Sequence, residues 1–157
     1  MNKFSSLNLL LIASLSCVVP LTFASDEIDL KEAAKRMQVT VPELNEIIER
    51  CDGNQHDMNM CAWYKFVKSD IELNGVYREL QSNLDGRDPK KLVVAQKAWI
   101  IFRDKNCDFS TSDVDQGSMW GMVSSYCKRD MTEDRIYQLK DLIACTSIHG
   151  ECLPKKH

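Results

Sequence analysis

The sequence predicts an all-α fold: a small bundle of four to six helices stapled by three disulfides. Three observations carry this expectation. Apolar residues recur at three- and four-residue spacing, and no alternating run bounded by turn residues stands out. Glycine and proline are scarce, 6 and 4 in 157 residues, whereas helix-capping residues and helix-start prolines recur along the chain. The chain reads as exported, and six of its seven cysteines fall outside the expected leader; an even number in an oxidising compartment points to disulfides.

The leader is expected over residues 1–24. Lys3 supplies the positive start, LNLLLIASLSCVV the apolar centre, and Thr22 and Ala24 the small residues ahead of Ser25. The apolar run is shorter than the roughly 20 residues of a membrane span, so no stable membrane insertion is expected. Cys17 invites a lipoprotein reading, but Ser14 rather than Leu stands three residues before it, and VVPLTFA continues the apolar stretch. Without the leader the chain keeps about 133 residues, enough for one domain with a core. Its 19 basic and 23 acidic residues give a net charge of −4. That balance leaves no electrostatic footprint for nucleic acid and favours encounter with a cationic protein.

The elements follow in order. Residues 26–37 begin with acids and end with bases, as the helix dipole prefers. Thr40 and Pro42 start a second helix through VPELNEIIERC. Together, residues 25–50 form an accessory helical pair. Its resemblance to a helix-turn-helix is discounted because the clustered bases that hold phosphates are missing. A long helix is expected from about Met58 to Leu84, with Asp85-Gly86 as its stop. Asp88-Pro89 opens the next, residues 89–107, on which Leu92, Gln96, Trp99, Ile100 and Arg103 share a broad face. Residues 108–117 read as a polar loop with three acids. Helix returns at about 118–128, and Thr132 reads as the N-cap of a final helix.

The central pattern resembles the family named after the lysozyme inhibitor LprI, in its N-terminal-domain form. The residues that carry the resemblance are MNMCA (58–62), Asp70, Leu73, Asn74 and Tyr77, and AQKAWIIFRDKNC (95–107). Gly117-Ser118, Cys127, Thr132, Arg135 and Leu139 continue it. It spans about residues 51–142, with 51–157 as the domain including its C-terminal loop. The resemblance implies an exported, disulfide-bonded helical domain, associated in at least one member with inhibition of lysozyme. Fifteen pairings of six cysteines are open. The sequential one, Cys51–Cys61, Cys107–Cys127 and Cys145–Cys152, agrees with the family pattern and needs only local approach. A zinc site is the rival, but no C-x₂₋₄-C knuckle occurs, and no metal or other cofactor is expected.

Asp70 and Arg103, marked by the resemblance, are open to two readings: a catalytic pair, or an interhelical ion pair supported by Asn74 and Tyr77. The second is preferred, with Gln96 and Trp99 as core contacts on the same face. No enzyme motif is present: His56, His149 and His157 stand at no triad or metal spacing, and G-x-S-x-G, H-E-x-x-H and phosphate loops are absent. Two partner-binding surfaces are candidates. One is the cysteine-clamped segment 108–120, with Asp108, Asp113 and Asp115 as acids and Phe109 and Trp120 as aromatic anchors; its alternative is a solvated connector. The other is CTSIHGEC (145–152), a cysteine-closed ring carrying His149. This loop alone resembles the inhibitory loop of the Ivy class of lysozyme inhibitors, and its plainer reading is a staple against fraying.

The expected function is periplasmic binding and inhibition of a lysozyme-type peptidoglycan hydrolase by cleft occlusion. The alternatives are an immunity or chaperone-like partner of another envelope-targeted effector, or an envelope assembly or stress protein.

Overall fold

A computed structural model describes residues 21–84 and 88–149, without the side chains of residues 21–26, 28 and 146–149. The expected leader up to residue 20, the Asp85-Gly86 stop, and Gly150 to His157 lie outside the described residues. Among the described residues five α-helices are present, α1 (Leu21–Met37), α2 (Val41–Glu49), α3 (Gln55–Ser82), α4 (Pro89–Ser110) and α5 (Trp120–His149), with a 3-10 turn at Ser112–Val114. No strand occurs among the described residues.

Helix α1 begins ahead of the acids at 26–27 that the sequence suggested as its first turn, because nothing between Leu21 and Ser25 interrupts it. It ends in a left-handed Gln38 at φ 57°. There the Val39 N–H bonds the Ala34 carbonyl at 3.0 Å and the Gln38 N–H bonds that of Lys35 at 3.2 Å, a Schellman closure without the usual glycine. The N-cap of α2 is Thr40, in a capping box with Glu43, and Pro42 lies in the first turn. Asn54 caps α3 by accepting from the His56 and Asp57 N–H groups. The helix therefore starts one turn ahead of the predicted Met58, and Cys61 reaches back to Cys51 from inside it. Asp88 and Pro89 open α4.

Two boundaries differ from expectation. Asp108 and Phe109 belong to the last turn of α4 rather than to a loop. Thr132 is no N-cap, since α5 runs unbroken for 30 residues. Its hydroxyl donates to the Lys128 carbonyl one turn back at 2.6 Å, a bond available to threonine inside a helix.

Helix α3 is the spine. Asn59 meets residues 118–122 and Glu72 meets Lys140, so α5 runs parallel to it. Helix α4 returns antiparallel, with Cys107 tied to Cys127, Arg103 to Thr132, and Gln96 to Arg135. The C-terminal half of α3 buries Leu73, Val76 and Leu80 against Ile136 and Leu139. Its N-terminal half carries Val67 into a second cluster with Ala33, Ala34 and Met37 of α1 and Leu44 of α2. Both clusters derive their stability from removing apolar surface from water.

Candidate functional site

Between the two clusters lies a polar hub that joins four helices. Asp70 of α3 divides its carboxylate: Oδ1 accepts from Arg103 Nη1 of α4 at 3.0 Å, and Oδ2 accepts from Arg36 Nη1 of α1 at 2.8 Å. Asn74, one turn along α3, donates to Asp70 Oδ2 at 3.2 Å and to its backbone carbonyl at 2.8 Å. Arg103 is 5% exposed and bonds through both Nε and Nη1. Its Nη1 also donates to Thr132 Oγ1 of α5, and its Nε donates to Asp104. Its guanidinium lies over the Phe66 and Trp99 rings at 5.0 and 5.3 Å, a stacking that suits its planar charge.

The structure thus brings Asp70, Asn74, Arg103 and Trp99 together. Tyr77, expected on the same carboxylate, packs against the Leu73–Leu139 cluster instead. It lies two turns beyond Asp70, about 10 Å along the axis. Gln96 serves the next layer, where its Oε1 accepts from Arg135 Nε at 3.1 Å. Arg135 also lies over Trp99, and burial pushes its pKa down. Burial works against the Arg36 charge too, but its bonds with Glu32 and Asp70 outweigh that and raise its pKa. The hub roles of Arg36, Phe66, Asp104 and Thr132 are not legible in the sequence. Nothing in AAKRM marks Arg36 as a partner of α3, and Thr132 carries the signature of a cap. No buried side-chain nitrogen or oxygen among the described residues lacks a partner. The hub's buried polar groups are therefore satisfied within the bundle.

The exposed candidate is the tip between α4 and α5. Thr111 ends α4: it is buried, and its hydroxyl donates to the Cys107 carbonyl at 2.8 Å. The 3-10 turn follows, then N–H bonds from Gly117 to the Val114 carbonyl and from Trp120 to that of Gly117. Cys107–Cys127 closes the segment from below. Asn59 fastens it from α3, its Nδ2 donating to the Ser118 carbonyl at 2.9 Å and its Oδ1 accepting from the Met122 N–H at 3.1 Å. Gly121 lets α5 come this close, since a Cβ there would meet the Asn59 side chain at 3.3 Å. Asn59 sits in MNMCA, and its role as a clasp was another contact invisible in the sequence.

This tip presents Phe109 at 80% exposure, Met119 at 46% and Trp120 at 39%. Asp113 and Asp115 are exposed on it, and Asp108 is exposed beside Lys105 at 3.5 Å. The other candidate, CTSIHGEC, is only partly described. Helix α5 carries Cys145 to His149, so this stretch is helical rather than a loop, and the His149 side chain lies outside the described residues. Two disulfides, Cys51–Cys61 and Cys107–Cys127, stand among the described residues. Cys145 is also disulfide-bonded, and Cys152, its expected partner, lies outside them. No group of three His, Cys, Asp or Glu side chains among the described residues is placed to hold a metal ion. No described helix is long and apolar enough to cross a membrane.

Comparison with known proteins places this arrangement. A family model described as "Lysozyme inhibitor LprI" matches residues 49–139. An uncharacterized protein of Rhizobium meliloti (strain 1021) is 31% identical over 103 residues, covering 57% of this chain and 74% of that protein. No solved structure matches. The matched span holds α3, α4, the tip, most of α5, and every hub residue except those of α1. The chain belongs to the LprI lysozyme-inhibitor family.

Proposed function

We propose that this chain is an exported binding protein that inhibits a lysozyme-type peptidoglycan hydrolase by seating the 108–120 tip in the enzyme's substrate cleft. The observation that carries this reading is the pairing of exposed aromatics with free-standing acids on a segment fixed by a disulfide, Asn59 and Thr111. A segment already ordered spends little conformational entropy on binding. Buried aromatic anchors dominate interface energetics once docked, and Phe109 and Trp120 offer two. The charge of −4 left by 19 basic and 23 acidic residues outside the leader draws a basic enzyme and orients it on approach. Family membership supports a lysozyme as partner, and the N-terminal pattern supports export to the compartment where such enzymes act. Function here needs no cofactor, because occlusion is steric.

The test is the rate of lysis of a cell-wall suspension by a basic lysozyme, with the oxidised protein titrated in at low salt. Stoichiometric loss of activity is expected, weakened by added salt and by Phe109→Ala or the double change Asp113→Ala and Asp115→Ala. Inhibition that survives these changes and falls with His149→Ala transfers the role to the C-terminal segment. No inhibition of goose-, chicken- or invertebrate-type enzymes at micromolar protein overturns the reading in favour of another envelope partner.

A further inference from the structure

Helix α4 carries contact residues on two sides. One faces the bundle through Leu92, Gln96, Trp99, Arg103 and Cys107. The opposite side carries Val94, Ala98, Ile101 and Phe102 in i, i+4, i+7, i+8 spacing. Val94, Ile101 and Phe102 are 67, 64 and 59% exposed, and Ala98 is exposed between them. A shallow, open depression lined by Lys90, Lys91, Val94 and Ala95 begins the strip. Contiguous apolar surface of this kind is a mark of an interaction site.

Charge along one edge of the strip names the occupant. Lys90 and Lys97 stand on that edge in the N-terminal half of α4. Asp104 and Asp108 stand on the same edge in the C-terminal half. Asp104 holds Arg103 through Oδ1 and Asp108 approaches Lys105, yet their side chains stay 42 and 48% exposed. When two copies of a helix pack face to face in antiparallel sense, a two-fold axis sets each edge against the same edge reversed. Centred near residues 99–100, that operation places Lys97 opposite Asp104 and Lys90 opposite Asp108, twice each. It sets Ala98 against Ile101 and Phe102 of the other copy, where the small side chain allows close approach.

We propose that this face pairs with a second copy of the chain, as an antiparallel two-fold α4–α4 dimer. The surface meets the inhibitory tip only at Asp108, and it carries the two 108–120 tips to opposite ends of the pair.

Sedimentation equilibrium of the full chain tests this. Twice the monomer mass is expected at high micromolar concentration. Ile101→Glu should raise the dissociation constant by at least about tenfold, since it buries an unpaired charge at the centre. Lys97→Glu and Asp104→Lys should each weaken self-association, and an equimolar mixture of those two variants should regain it, because only the mixed dimer restores opposite charges in both 97–104 pairs. Circular dichroism confirms that each variant is folded. A wild-type chain that stays monomeric up to millimolar concentration overturns the proposal. So does a dimer indifferent to Ile101→Glu, or two charge variants that fail to rescue one another.

Discussion

The two oxygens of Asp70 bind the same chemical group at nearly the same distance, yet they face different parts of the molecule. Arg103 on Oδ1 belongs to the span shared with the family, whereas Arg36 on Oδ2 belongs to α1, outside it. Distance does not rank the two pairs. Burial does: the Arg103 side chain is 7% exposed and the Arg36 side chain 32%. Removing Arg103 empties a buried site that also serves Thr132, Asp104 and the Phe66 and Trp99 rings, whereas water can replace the partly exposed Arg36. The α3–α4–α5 bundle is therefore expected to own the hub, and the α1–α2 pair to lean on it.

The sharpest break of this contrast is Arg103→Ala. It should lower unfolding free energy by about 3–5 kcal/mol, read by chemical denaturation with disulfides intact. A loss no larger than that of Arg36→Ala would mean that the family span does not own the hub. Opening Cys107–Cys127 by a double change to Ala should cost about 2–4 kcal/mol. Opening Cys51–Cys61, at the junction with the accessory helices, should cost about 0.6 kcal/mol less, because its separation is 10 residues against 20. The reverse order would place more of the stability at that junction. Gln38→Gly should raise the melting temperature, worth about 1 kcal/mol, by relieving a left-handed residue that carries a Cβ.

Arg36→Ala should cost less than about 1 kcal/mol and leave the α3–α5 contacts intact by hydrogen exchange. The smallest effect belongs to Glu43→Gln in the α2 capping box. The Thr40 backbone N–H, and then its hydroxyl, hold the Glu43 pKa below the ordinary carboxylate range. The native state thus favours the ionised form, and this stabilisation is present at neutral pH. It disappears as pH falls through the lowered native value. The melting temperatures of wild type and Glu43→Gln should therefore differ near neutrality and converge in acid.

Much of the fold is legible from punctuation. Thr40-Val41-Pro42 and Asp88-Pro89 state their helix starts because a cap and an N-terminal proline act locally. Asn54 does the same, but beside Gly53 and Cys51 it passes for loop. Thr132 misleads for the opposite reason: a threonine can satisfy its hydroxyl within a helix, and only the arrival of Arg103 from α4 explains its burial. The Asp70–Arg103 contact is readable because the family resemblance marks both residues. Arg36 and Asn59 are not, since their contacts depend on how α1 and α5 cross α3. The tip's acids and aromatics are plain in the sequence; the clasp that fixes them is not.

The covalent tie between Cys107 and Cys127 has one more consequence. The exposed stretch from Ser112 to Gln116 lies wholly inside it, as the turn from Asp52 to Asn54 lies inside Cys51–Cys61. A protease that cuts either stretch produces a scission without a fragment: the two pieces stay bonded, and the helices on each side keep their neighbours. Cleavage there should change the molecule's pattern on a reducing gel long before it separates the parts, a useful property for a protein expected to work among hydrolases.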